Sequence, residues 1–371
     1  MHSPPEPPNT PALVTVDDWE AHARATLTPM AYDYFRSGAD EEHTLRRNRD
    51  AFTAFAIWHR TLVDVTEPRV GVEVLGTRLA TPILVAPTAY HRMAHEGGER
   101  ASIAGTADAG SLFVASTLAT TRLEDVASAA PAAPKWFQLY VHRDRAFTER
   151  LIDRAKAAGY AALAVTLDTP VLGRRIADVK NGFGLPPGLT MENLVESMPD
   201  EIKNGTGSEL ARYVAARHDP SFTERDLEWL VRRAAPLPVV VKGVVRGDDA
   251  RRALSAGARA IWVSNHGGRQ LDLGPATIEA LPEVRAAVGP SAEVYVDGGI
   301  RSGTHALIAL ALGANAVFVG RPIVWALTVG GRDGVRTMLD NLTAELVRAM
   351  RLAGARDLEA LRTGDLVRKR S

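Results

Sequence analysis

Eight short apolar runs punctuate this 371-residue chain, and their spacing constrains the fold more than any other feature. They are PILVAPT (82–88), SLFVAST (111–117), KWFQLY (135–140), ALAVTLD (162–168), PVVVKG (238–243), RAIWVS (259–264), EVYVD (293–297) and AVFVG (316–320). Each has the length of a strand and is rich in Val, Ile or aromatic residues. They lack period-two alternation, as expected of parallel strands covered on both faces. Between most of them lies an Ala-, Arg- and Glu-rich helical stretch, such as TERLIDRAKAAGY or GDDARRALSAGA. Several of these stretches end in Ala-Gly or Leu-Gly, a signal for a helix C-terminus. Eight strands alternating with helices predict an α/β chain folded as a (β/α)8 barrel over residues 82–330. A doubly wound sheet fits less well, because no GxGxxG follows the first strand and no Walker A sequence is present.

The rest of the chain reads as additions to one domain, 13–371. Residues 1–12 are proline-rich and read as a disordered tail. Residues 13–60 are helical in pattern, with Thr15 or Asp17 as a first cap, Pro29 near the start of a second helix and Gly38 near its end. The interval 169–237, between the fourth and fifth runs, is too long for a simple connection and contains the polar, Gly- and Pro-bearing GFGLPPGLTMENLVESMPDEIKNGTGSEL. An excursion of that size at the C-terminal face of a barrel predicts a lid or active-site loop. Residues 334–371 read as closing helices.

Composition acts mainly by exclusion. The chain has no cysteine, which removes disulfides, thiolate metal sites, iron–sulfur clusters and cysteine nucleophiles. Basic and acidic residues number 44 each, so no charge excess marks a nucleic-acid binder. No apolar run reaches the roughly 18 residues that would span a membrane. The first residues lack the order of a signal peptide and the last match no address signal, so the expectation is a cytoplasmic protein. His91 and His95 have the spacing of a zinc pair, but no third ligand accompanies them, so no metal site is expected.

In a barrel of this kind chemistry gathers where strands end. Those ends carry Thr88, Ser116, Gln138 with Tyr140, Thr166 with Asp168, Lys242, Ser264 with His266, Asp297, and Gly320 with Arg321. The seventh and eighth ends, VDGGIRSGTHAL and VGRP, combine adjacent glycines, a helix start and the arginines Arg301 and Arg321, which suits a phosphate. Lys242, one of six lysines, ends an apolar run, so its ammonium must meet an anionic or polar partner at the barrel mouth. It is either a Schiff-base nucleophile or a fixed charge for a cofactor. In SNHGGRQLD, glycines let His266 and Arg269 face one ligand, an arrangement suited to deprotonating an alcohol whose carboxylate an arginine holds. Asp168 would orient His266, and Arg174 or Arg175 in TLDTPVLGRR would be a second carboxylate clamp.

Taken in order and spacing, SNHGGRQLD, VDGGIRSG with VGRP, FQLYV, TLDTPVLGRR, PVVVKG, APTAYHRMAHEGGE and AYDYFRSGAD resemble the FMN-dependent L-2-hydroxy-acid oxidases and dehydrogenases, from about Val14 to Asp357. The resemblance implies FMN as cofactor and His266 as active-site base with Asp168 as its partner. It implies that Arg175 and Arg269 bind the substrate carboxylate and that Tyr34 and Tyr140 hydrogen-bond the carboxylate or hydroxyl. It places Lys242 near the flavin N1 and C2 carbonyl. Ser116, Gln138 and Thr166 would contact the polar edge of the flavin ring, and Thr88 and Ala89 would line it by backbone. Ser264 and Asp297 would hold the ribityl chain or its surroundings, and Gly299, Arg301, Gly320 and Arg321 the phosphate. The implied reaction takes a small-molecule 2-hydroxy acid to a 2-oxo acid, with oxygen or another acceptor reoxidising the flavin; hydride and carbanion routes both fit. The resemblance further suggests a homo-oligomer, a tetramer.

Two departures stand out. Leu118, in VASTLATT, takes the place of the tryptophan of glycolate oxidase, and HEGGE replaces the common HPEGE. With Tyr90, the leucine makes the chain look more like hydroxymandelate oxidase. The expectation is therefore a bulky, aromatic substrate such as (S)-mandelate or 4-hydroxymandelate. A small aliphatic acid is the alternative.

Overall fold

The computed structural model describes residues 13–197, 213, 216–363 and 365–370. The proline-rich tail 1–12 and residues 198–212, 214 and 215 of the predicted excursion lie outside the described residues.

Three helices open the chain: α1 (Val16–Thr26), α2 (Pro29–Arg36) and α3 (His43–Asp50). Thr15 caps α1 in a reciprocal box with Asp18. Thr28 caps α2, whose first residue is Pro29, a position where the missing N–H costs nothing. A short strand β1 (Phe55–Ile57) and a hairpin of β2 (Val72–Val74) and β3 (Thr77–Leu79) follow.

The eight apolar runs then form β4 (Ile83–Val85), β5 (Phe113–Ala115), β6 (Lys135–Leu139), β7 (Leu163–Thr166), β8 (Val239–Val244), β9 (Ala260–Val263), β10 (Glu293–Val296) and β11 (Ala316–Val319). They pair in parallel, each with its neighbours in sequence, and β11 closes back onto β4. Each strand contributes one or two residues to a buried interior cluster that includes Trp136, Trp262, Tyr295 and Phe318. Trp262 stacks on Phe318 with ring centroids 3.7 Å apart. Val74 and Leu79 of the hairpin join the same cluster, and Glu293 at the start of β10 accepts the Leu75 N–H. The hairpin therefore plugs the N-terminal end of the barrel. With the interior filled, the C-terminal mouth is the place left for a ligand.

Two predicted boundaries change. Of the interval 169–237, residues Glu224–Ala234 form the ordinary barrel helix that precedes β8, capped by Thr223 and Asp226, so the true excursion ends before Thr223. Its described first part is packed: Phe183, Met191 and Leu194 are buried. The final region contains more than closing helices. A helix starts directly after β11 at Arg321 and runs to Ala353 with a break at Gly331. After the helix Leu358–Thr363, the chain ends in β12 (Val367–Lys369), which pairs antiparallel with β1. None of the described helices is long and apolar enough to cross a membrane.

Candidate active site

The C-terminal mouth holds a cleft that, counted with the solvent space at its opening, spans about 1100 Å³. Every residue singled out at the strand ends lines it or stands directly behind a lining residue. Asp168 and Ser264 are the two in the rear position, each bonded to a residue that does line the cleft.

On the β9 side, His266 takes a left-handed backbone (φ 58°), a costly conformation for a residue with a side chain. The surrounding loop holds it there. Its N–H donates to Ser264 Oγ (3.1 Å), and the preceding Asn265 exchanges amide hydrogen bonds with Asn48 of α3 (2.9 and 2.8 Å). His266 Nδ1 lies 2.8 Å from Asp168 Oδ1. An ionised carboxylate only accepts, so Nδ1 carries the proton, and Nε2, 3.5 Å from the Tyr140 hydroxyl, is the free base. Burial holds the imidazole below its ordinary pKa, although Asp168 pulls it up. For Asp168, burial pushes the pKa up, but His266 and Lys242 outweigh it and leave the carboxyl below its usual range. Thr169 ties the pair together, with Oγ1 donating to Asp168 (3.1 Å) and 3.4 Å from His266 Nδ1.

Facing this pair are two guanidinium groups. Arg175 is buried and lines the cleft, whereas Arg174 is exposed, so Arg175 is the inward member of the tandem. Its Nε and Nη1 have no hydrogen-bond partner, and the nearest carboxylate, Asp178, is 3.9 Å away. Arg269 donates through Nη1 to the carbonyls of Tyr34 (2.6 Å) and Ser37 (2.9 Å). Burial and then the neighbouring Arg175 lower Arg269 to about 10. The Tyr34 ring is 4.9 Å from Arg269 and 5.9 Å from Arg175, within cation–π range of both. Leu118 and Leu172 line the same chamber. Tyr90 does not: it packs against Tyr34 (5.3 Å) outside the lining.

Lys242 owes its placement to the β8–β9 register. Lys242 pairs with Trp262 and Val244 with Val263, so Gly243 is an inserted bulge residue. A Cβ at Gly243 would lie 2.7 Å from the Asp168 Cβ, so glycine is required. Lys242 Nζ donates to Ser264 Oγ (2.9 Å) and lies 3.5 Å from Asp297; Ser264 in turn donates to Asp297 Oδ1 (2.8 Å). The ammonium is thus an ion-paired, fixed charge. Across β5, β6 and β7, Gln138 links Ser116 and Thr166 in one polar row, accepting from Ser116 Oγ (3.3 Å) and donating to Thr166 Oγ1 (3.1 Å).

At the far end, Gly298, Gly299, Arg301, Gly320 and Arg321 line the cleft. Gly299 (φ 79°) passes so close to α3 that a Cβ would overlap the Asn48 carbonyl at 1.8 Å. In the helix after this turn, two of the N-terminal N–H groups expected to face an anion are already taken. Ser302 caps it and Glu345 accepts the Gly303 N–H. The helix that starts at Arg321 carries no side-chain cap. Thr88 and Ala89 complete the lining on the β4 side, where His91 holds the Thr88 hydroxyl at 2.6 Å and Ser102 at 2.7 Å. His95 sits apart, with Nδ1 accepting the Gly97 N–H.

Comparison with known proteins decides the class. The profile of the FMN-dependent dehydrogenase family matches residues 23–368. The chain belongs to that family. It is 47% identical to human 2-hydroxyacid oxidase 1 over 97% of both chains. It is also 47% identical to an L-lactate oxidase of Nostoc sp. strain PCC 7120, over 95% of this chain and 98% of the relative. Among solved structures it is similar to mandelate oxidase with (S)-4-hydroxymandelic acid, with a TM-score of 0.89 and 41% identity over 94% of this chain and 97% of that one. The same enzyme with benzoyl-formic acid gives 0.86 and 40%, over 95% and 97%. The protein is an FMN-dependent oxidoreductase of the 2-hydroxyacid oxidase class.

The cleft fits that cofactor. Among the described residues, Arg269, Arg301 and Arg321 form no ion pair; Arg321 donates instead to the carbonyls of Phe35, Ser37 and Gly267. Burial first, and then Arg269 and Arg301, hold Arg321 well below its usual pKa. Three partly buried cations that form no ion pair among the described residues suit a phosphate at one end and a carboxylate at the other.

Sequence reading missed several lining residues. Thr169, Leu172 and Ile300 lie just past strand ends and were within reach of the same argument. His218, in AARHDPS, carried no signal at all.

Proposed function

We propose that this enzyme oxidises an (S)-2-hydroxy acid to the 2-oxo acid and passes the electrons to oxygen, giving hydrogen peroxide, and that its substrate is bulky and aromatic, of the (S)-mandelate or 4-hydroxymandelate type. The observation that carries the reading is one cleft in which an Asp168–His266 pair faces the guanidiniums of Arg175 and Arg269. The arginines clamp the carboxylate and orient the alcohol carbon. Tyr34 and Tyr140 add hydrogen bonds to the carboxylate or hydroxyl. His266 Nε2 accepts the proton, and Asp168 stabilises the imidazolium that results.

FMN, when bound, supplies the two-electron acceptor. Ser116, Gln138, Thr166, Thr88 and Ala89 would hold its ring, and Lys242 would set a positive charge beside it. Ser264 and Asp297 anchor that lysine and would border the ribityl chain. Gly299, Arg301, Gly320 and Arg321 would hold the phosphate.

The apolar surface of Leu118, buried in the cleft wall, supports an aromatic side chain on the substrate. The names of the glycolate and lactate oxidases among the relatives favour the second reading, a small aliphatic acid. Anaerobic mixing of the yellow protein with (S)-mandelate, (S)-lactate and glycolate separates the two. Fastest bleaching by mandelate is expected; faster bleaching by lactate or glycolate overturns the aromatic assignment. Peroxide yield in air tests the acceptor. The reading includes a homo-oligomer, a tetramer, supported by exposed Val171, Leu271 and Leu273, and sedimentation checks it.

A further inference from the structure

His218 has no part in the chemistry described above, yet it stands against it. The segment Arg217–Asp219, where the excursion returns to the barrel, is sewn to the backbone just beyond Tyr140. Arg143 N–H donates to the Arg217 carbonyl (2.9 Å), and Asp219 N–H donates to the Val141 carbonyl (3.1 Å). This two-bond bridge sets His142 opposite His218. It also fixes the His218 ring against Tyr140, stacked at 28° with centroids 4.6 Å apart. His218 is 3% exposed and lines the cleft. Its Nδ1 lies 3.5 Å from the carbonyl of Thr169, the residue whose hydroxyl bridges Asp168 and His266, and its Nε2 has no hydrogen-bond partner.

From this geometry we infer that His218 is a positioning residue for Tyr140: its ring forms the back plate that holds the phenol in place beside His266 and the substrate. The inference rests on the proposed role of Tyr140. Tyr140 directly follows β6 and lines the cleft, and the ring stacked on it there is that of His218. Burial holds His218 down at about 4, so at neutral pH the plate is uncharged and adds no repulsion to a protonated His266. The plate is backed in turn by His142 (5.9 Å) and Phe147, which packs on His142 at 4.8 Å. A stack of rings resists sliding more than a single aliphatic contact does.

A double-mutant cycle on the flavin-loaded enzyme tests this, with kcat, KM and the flavin spectrum measured for each protein. Tyr140→Phe alone should lower kcat; if it does not, the proposed role of Tyr140 is wrong and the inference about His218 falls with it, whatever His218→Leu does. Given that loss, His218→Leu should lower kcat about tenfold with KM and flavin content little changed. In the Tyr140→Phe background it should cost less than about twofold, because the hydroxyl it positions is already gone. His218→Phe, which keeps a stacking ring, should recover most of the loss. The inference is overturned if the two losses multiply independently, if His218→Leu leaves kcat intact, or if His218→Phe is as impaired as His218→Leu. If His218→Leu does not fold, His218→Phe against His218→Met carries the same comparison.

Discussion

Asn48 and Asn265 hold each other through two reciprocal amide hydrogen bonds, 2.9 and 2.8 Å long, and so join the N-terminal helices to the loop that carries His266. Asn48 Oδ1 also accepts the Thr277 N–H (3.3 Å), and its backbone carbonyl abuts Gly299 of the phosphate turn. Asn48→Ala should leave the buried Thr277 N–H without its acceptor, take one of two partners from each end of the Asn265 amide, and loosen both loops. The expected cost is about 1–3 kcal/mol of stability, the usual penalty for unsatisfied buried groups, seen as a lower melting temperature together with a reduced kcat. A variant with unchanged melting and turnover would show that the loop is held without this pair.

His266→Ala should reduce turnover by roughly 10²–10⁴-fold, the usual contribution of a general base, while the protein stays yellow. Stopped-flow bleaching of the flavin by substrate, measured beside the visible spectrum, separates lost chemistry from lost cofactor.

The acid limb of kcat/KM should report the same imidazole. His266 must be neutral to accept a proton, and burial holds it below its ordinary value near 6.5, so activity is kept on moving down to that pH and lost only further below. Asp168 raises the His266 pKa. Asp168→Asn should therefore move the limb to still lower pH while cutting the plateau rate; a shift to higher pH would contradict the pairing.

Arg301→Ala should weaken FMN binding about 10–100-fold, as expected for removing a charge-assisted contact to phosphate. Free-flavin fluorescence after dilution reads the dissociation. Tight retention would move the phosphate site elsewhere.

Leu118→Trp should shrink the chamber. The ratio of kcat/KM for (S)-mandelate over glycolate is expected to fall by more than about tenfold, since a bulky indole excludes a phenyl ring sterically. An unchanged ratio would place the substrate side chain away from Leu118.

The barrel and its mouth were legible because both rest on local rules. Strand-length runs covered on two faces show as uninterrupted Val and Ile, and a strand ending at the mouth shows as a polar residue after such a run. His266, Asp168 and Lys242 follow that rule; Arg175, nine residues past β7, does not, and only the resemblance chose it over Arg174. What escaped depends on pairing across long separations or on short elements. β1 and β12 are three-residue strands that find each other from opposite parts of the chain. The β2–β3 hairpin turns through Leu75 and Gly76, both at positive φ, where the usual Asn-Gly signal is missing. Asn48 sits in HTLRRNRD, which reads as a solvated helix; only the packing of α3 on the barrel buries it. His218 follows a segment with no periodic pattern, and a backbone bridge, not a strand end, delivers it.

That bridge separates two traits that enzymes often confound. The excursion departs at Asp168 and is fastened again at Arg217–Asp219, so both of its feet stand beside one imidazole. Thr169 and Arg175 must stay, but lengthening the chain between them and Arg217 carries a small entropic cost, because the cost of closing a loop grows only slowly with its length. Descendants of such a scaffold can retune which acids they accept without reinventing how they oxidise them.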